Sequence, residues 1–200
     1  MRRILLAVLA FGVLGACAEG PKGPEASDAQ LLAEAYREPG PATLTLITMV
    51  NNNSGSGAHT ALMVNGSQRV IFDPAGSFHN AAVPQQKDVL YGVTPRIFAA
   101  YQSAHARSAF HVVTQELVVT PEQAERALQL VTSHGAVPQA LCTNATSGLL
   151  RQVPGFEDIG VTYFPKRLME QFETRPGVRT DRYYEDDEGT IVDGVAKVDL

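Results

Sequence analysis

One thiol and five imidazoles carry most of the nucleophilic and acid–base chemistry that this sequence can offer near neutral pH. Of the two cysteines, Cys17 closes an N-terminal apolar run, which leaves Cys142 as the only thiol of the folded region. The thiolate is the reactive form of cysteine, and a neighbouring imidazole can take the thiol proton and later deliver it to a leaving group. The histidines stand at 59, 79, 105, 111 and 134. His59 follows SGSGA and opens the stretch HTALMVNGSQRVIFDP. That places it at the edge of an expected strand, well positioned to face a helix N-terminus. His105 and His134 fall near expected helix ends, where a surface position is expected. His111 lies in a segment of strong β-propensity and reads as structural or exposed, and His79 sits on a loop after a DPAG turn.

These groups need elements to position them. Residues 43 to 50, TLTLITMV, read as a strand, and the NNNSGSG that follows reads as a flexible loop. His59 to Val64 and Arg69 to Asp73 read as a hairpin turning at Asn65-Gly66, a pair that favours a two-residue turn. Asp88 to Tyr91 is a candidate short strand, and Thr94-Pro95 opens a helix that runs to about His105. Phe110 to Val119 is a long strand. Thr120-Pro121-Glu122-Gln123 supplies a cap, an N1 proline and a reciprocal glutamine for a helix with Ala124, Ala127, Leu128 and Val131 on one face. Cys142 stands where the next helix should begin, and the unpaired N–H groups and dipole at such a position favour a thiolate. Pro165 starts a short helix to about Phe172. Arg182 to Tyr184 and Thr190 to Val192, around EDDEG, read as a last hairpin. The sum is an α+β domain, an antiparallel sheet with several helices packed on it.

The N-terminus has a different character. Arg2 and Arg3 precede an eleven-residue apolar run, Ile4 to Leu14, too short to span a bilayer but suited to a signal peptide. The ending Leu14-Gly15-Ala16-Cys17 resembles the lipobox of bacterial lipoproteins. That resemblance implies a diacylated Cys17 as the first mature residue, and Ala18 after it implies the outer membrane, facing the periplasm. An ordinary secretory cleavage near Ala16 or Ala18 is the alternative. Residues 1–17 are thus read as signal peptide, 18–42 as a Pro/Gly linker with a short helix capped by Ser27 and Gln30, and 43–200 as the domain. Whether that helix belongs to the tether or packs on the domain stays open.

A cysteine at a helix start, a histidine on a sheet strand and a polar residue on the next strand resemble the papain-like arrangement. Here the histidine precedes the cysteine, which resembles the circularly permuted branch of the NlpC-type hydrolases, including the lecithin:retinol acyltransferase-like enzymes and predicted bacterial lipoproteins. The residues that carry the resemblance are GAHTAL around His59, VIFDPAG around Asp73, and Cys142 with its helix; they span about residues 43 to 175. It implies a Cys142 nucleophile, a His59 base and acid, and Asp73 orienting the ring. Register decides Asp73. A three-residue loop centred on Gly66 pairs it with His59 on one face, whereas a two-residue Asn65-Gly66 turn sends it to the opposite face. His79 is the substitute orienting group, and a turn-capping role is the other reading of Asp73. The backbone N–H of Cys142 would be one oxyanion donor by position, a contribution often worth ~3 kcal/mol.

The expected activity is that of a lipid-anchored envelope thiol hydrolase or acyltransferase, and the resemblance implies amide bonds of cell-wall peptides or acyl groups of lipids as substrates. Without its two leader arginines the chain moves from a net charge of −5 to about −7, which excludes a basic nucleic-acid footprint. No metal or cofactor motif is present, and EDDEG lacks the ligand spacing of a calcium loop. The alternative is a non-enzymatic envelope binding or assembly module of the same fold, with Cys142 a small core residue. An exposed redox-sensing thiol without a histidine partner is a third possibility.

Overall fold

The computed structural model describes residues 24–198 and 200; the expected signal peptide with Cys17 and residues 18–23 of the expected linker lie outside them. The elements in chain order are α1 (Asp28–Ala33), β1 (Thr43–Asn51), β2 (Gly57–Asn65), β3 (Arg69–Phe72), β4 (Gln85–Gln86), β5 (Val89–Leu90), α2 (Pro95–His105), β6 (Phe110–Val118), α3 (Pro121–Ser133), α4 (Cys142–Leu150), α5 (Pro165–Glu173), β7 (Arg179–Tyr183) and α6 (Ile191–Lys197). The seven strands form one antiparallel sheet in the order β4-β5-β3-β2-β1-β6-β7. The protein is α+β, as the sequence predicts.

Alternation along β1 and β2 sorts their side chains to two faces. Leu44, Leu46, Leu62 and Val64 meet Ala127, Leu128 and Val131 of α3, Leu149 of α4 and Leu168 and Phe172 of α5. On the other face Ile47, Met49, Ala61 and Met63 meet Tyr101 and Ala104 of α2, with Ile191 and Val195 of α6 against them. The central strands are therefore covered twice, which explains why β1 carries a nearly continuous apolar and threonine run. α1 belongs to this body: Leu31 is buried in the first cluster, and the chain after the helix is stitched to β3 by Arg69 N–H to the Tyr36 carbonyl and by the Arg69–Glu38 ion pair at 2.9 Å.

Two expectations are corrected. The segment after EDDEG forms α6 in place of a strand, because Thr190 accepts from the Asp193 N–H while Asp193 accepts from the Thr190 N–H, a capping box that overrides the β-propensity of Ile191-Val192. The β2–β3 connection is a three-residue loop, Gly66–Gln68, with Asn65 paired to Arg69. Ser67, at its centre, hydrogen-bonds Glu125 of α3 through both its N–H and its hydroxyl, so contact with α3 selects the longer loop over the two-residue turn.

Candidate active site

The β2–β3 register is what brings Asp73 to His59. Continued one step past its last pair, Leu62 with Phe72, it sets Asp73 opposite Ala61 and leaves it the diagonal neighbour of His59 on the same face. Neither of the two registers weighed from the sequence is the observed one, yet the face is the one the three-residue loop required. His59 Nε2 lies 2.7 Å from Asp73 Oδ1, and the Tyr101 hydroxyl donates to the same oxygen at 2.8 Å. Asp73 also closes the expected turn through its backbone, accepting from Gly76 N–H at 2.9 Å. Its Oδ2 is buried without a partner, pressed against Gly76: a Cβ added there would lie 1.9 Å from it. The turn is strained at Ala75, whose φ of 56° is unusual outside glycine. Asp88 holds it, accepting from Ala75 N–H at 3.1 Å and from Val137 N–H at 2.8 Å, so one buried carboxylate joins the Asp73 turn to the loop that leads to Cys142.

Cys142 is the first residue of α4. Its helix lies on one sheet face and His59 on the other, and the sheet itself lets them meet. β2 runs on past the end of β3, so residues 57 to 61 have β1 on one side and no strand on the other. The Cys142 sulfur lies 3.8 Å from the Thr143 hydroxyl, and on that open side of β2 the Thr60 backbone N–H and the His59 ring both favour its ionised form. Thr60 and Thr143 hydroxyls, 3.0 Å apart, fasten the start of α4 to the strand. The N-cap, Leu141, makes no side-chain cap bond, and Ala140 before it has a φ of 64°. With no side-chain cap, the N–H groups of the first turn of α4 are left without a capping partner, and a helix start of this kind favours a thiolate or an oxyanion beside it.

The electrostatics follow from these contacts. Burial pushes the Cys142 thiol up, but the hydrogen bond to His59, its charge, the Thr60 N–H and the Thr143 hydroxyl outweigh this and bring it down to about 7. Burial likewise disfavours a charged His59; hydrogen bonds to Asp73 and Cys142 and their charges overcome it and raise the ring to about 10. Asp73 is held below the usual carboxylate range: burial opposes ionisation, and the bond and charge of His59 prevail. Both shifts favour the same state of the pair, thiolate with imidazolium. With Nε2 taken by Asp73, Nδ1 is the nitrogen left to serve the sulfur. Side-chain exposure is 18% for His59, and Cys142 is 8% exposed.

Of the other histidines, only His105 departs from expectation. His79 hydrogen-bonds Gln85 at 2.6 Å and has no part in orienting His59. His134 is exposed at the end of α3, and His111 bonds Asn52 and stacks on Tyr184. His105, expected at the surface, is buried: its ring stacks parallel to His59 with centroids 6.2 Å apart, and its Nδ1 lies 2.8 Å from the Tyr101 carbonyl. Tyr101 and His105 join the candidate site without having been expected there from the sequence. Their i, i+4 spacing on the apolar stripe of α2, beside Ile97 and Ala104, was the available signal. Gly57 serves packing rather than substrate access, since a Cβ there would meet Pro165 and the Lys166 nitrogen at 2.6 and 2.7 Å. The acidic turn supplies counter-ions: Glu185 and Asp187 both pair with buried Arg107. Among the described residues no group of histidine, cysteine and carboxylate side chains could hold a metal ion. No family model matches the chain, and no curated protein or solved structure does either.

Proposed function

We propose that this protein is a thiol hydrolase or acyltransferase that acts on an amide or ester through Cys142, His59 and Asp73. The observation that carries the reading is the shared Asp73 carboxylate oxygen, bound to His59 Nε2 at 2.7 Å while the other ring nitrogen is left for a thiol brought down to about 7. A packing cysteine needs neither an oriented imidazole nor an uncapped helix start. The likeness to the permuted NlpC-type and lecithin:retinol acyltransferase-like hydrolases belongs to this proposal, as do cell-wall peptides or lipid acyl groups as substrates.

The chemistry proceeds in two steps. The Cys142 thiolate attacks the carbonyl carbon, and the oxyanion that forms lies against the backbone N–H groups at the start of α4. Collapse expels the leaving group, which takes the proton of the His59 imidazolium, and leaves a thioester. Water or an acceptor then gives a proton to His59 as it attacks the thioester, and thiolate is released. Asp73 keeps Nε2 as the donor to itself throughout, and Tyr101 fixes the carboxylate.

Incubation with p-nitrophenyl acetate tests this. The expected outcome is a burst of p-nitrophenolate and one acetyl group on Cys142 by peptide mass spectrometry, absent in Cys142→Ala and slowed about 10²-fold or more in His59→Ala. Acetylation at lysines alone, unaffected by either substitution, would contradict the proposal.

A further inference from the structure

A cavity of about 210 Å³ opens beside His59, lined by Met49, Ala58, Phe110 and Ile191 as apolar walls and by the rings of His59 and His105, with the Ala75–Ser77 turn completing the rim. Cys142 is not part of its lining. In acyl transfer through a thioester the acyl group must stay at the sulfur, while the departing or arriving group exchanges a proton with the imidazole. A cavity that touches the imidazole and not the thiol is therefore on the side of the leaving group, or of the acceptor that attacks the thioester.

Besides His59 and Ser77, the polar group on the cavity wall is His105. A carbonyl can only accept, so the bond from Nδ1 to the Tyr101 carbonyl requires a proton on Nδ1. Burial and the neighbouring His59 charge keep the ring neutral, with its ionisation lowered to about 4, although the Asp73 charge acts the other way. Nε2 is then a lone-pair acceptor, and it has no hydrogen-bond partner among the described residues. An acceptor on the wall of a mainly apolar cavity, without a protein partner, favours a ligand that brings a donor over one that leaves it unpaired. The volume is below the ~300–1,000 Å³ of drug-sized sites, room for one aliphatic side chain and not for a glycerolipid. The one cation on its wall, the His59 imidazolium, is already paired with Asp73 at 2.7 Å.

We propose that this cavity is the leaving-group and acceptor subsite, and that it takes an amine of amino-acid type: one apolar side chain plus an amide N–H donated to His105 Nε2. The inference rests on the thiol-transferase reading above and narrows its substrate to the peptide class. In the transfer direction the amine loses a proton to His59, its nitrogen attacks the Cys142 thioester, and an amide and free thiolate result.

The test uses p-nitrophenyl acetate as acyl donor and leucinamide or leucine methyl ester as acceptor, each rate normalised to that amine's reaction with a free acyl thioester. Leucinamide should accelerate deacylation saturably and yield N-acetyl-leucinamide. The methyl ester, with the same side chain and no amide donor, should be about tenfold less efficient, the worth of one hydrogen bond. His105→Phe should bring leucinamide to the methyl ester's level, and His105→Gln, which keeps an acceptor oxygen, should restore part of the preference. A burst in wild type with equal efficiencies for both amines overturns the subsite and leaves the thiol chemistry standing; so does a preference that persists in a folded His105→Phe protein. No burst with either acceptor overturns the Cys142–His59 reading, and the subsite with it.

Discussion

Burial acts against the charge on both His59 and Cys142, yet each is stabilised as an ion by the other. Asp73 tips the balance, because its buried carboxylate favours the imidazolium and the imidazolium favours the thiolate. Acylation should therefore rise with pH through about 7, as the thiol ionises, and fall through about 10, as the imidazolium proton needed by the leaving group is lost. Asp73→Asn removes the charge that raises His59. Its high-pH limb should move down, its low-pH limb should move up, and the maximal rate should fall by about 10²-fold or more, as read from acylation rates across pH 5 to 11. Profiles that superimpose with wild type would remove Asp73 from the mechanism. The residues at this scale were partly legible: Cys142, His59 and Asp73 could be named from type and order. Tyr101 and His105 were hidden because a histidine near a helix end reads as solvent-facing until the buried face of α2 is known.

Element geometry turns these residues into a site. The Asp73–Gly76 turn carries a left-handed alanine and presses the carboxylate onto a glycine with no room to spare. Gly76→Ala must displace either the turn or the Asp73 side chain. The expected result is a drop in acylation rate of about tenfold or more with Cys142 and His59 intact, together with a lower melting temperature. Unchanged activity would mean that the carboxylate tolerates another place. Caps were the most legible elements. The Thr94-Pro95 and Thr120-Pro121 signals start α2 and α3 where expected, because capping is local chemistry. The register between β2 and β3 was not legible, since Asn65-Gly66 favours a short turn and only Glu125, far along the chain, selects the longer one. α6 was hidden for a different reason: the β-branched Ile191-Val192 pair favours a strand, and the Thr190–Asp193 capping box overrides it.

On the scale of the whole molecule, the early end of β3 gives a helix on one sheet face access to a histidine on the other. The groups of the candidate site come from β2, the turn after β3, α2 and α4, so the site exists only when the helices have packed on both faces of the sheet. This long-range assembly explains why sequence order could suggest the site without fixing its distances. The proposed lipid anchor at Cys17 lies outside the described residues. For it the expected outcome is incorporation of labelled palmitate in a bacterial host that is lost in Cys17→Ala, with the protein then released from the membrane fraction. Persistent labelling in that variant would contradict the anchor. Among the described residues no helix is long and apolar enough to cross a membrane.

The most direct test of the Cys142–His59 pairing is the rate of iodoacetamide alkylation of Cys142 as a function of pH, in wild type and in His59→Ala. The account predicts a midpoint near 7 in wild type and a shift of that midpoint upward in the variant, since burial then acts on the thiol unopposed by the imidazole. The same slow labelling with an ordinary thiol midpoint in both proteins would make Cys142 a packing residue and contradict the account.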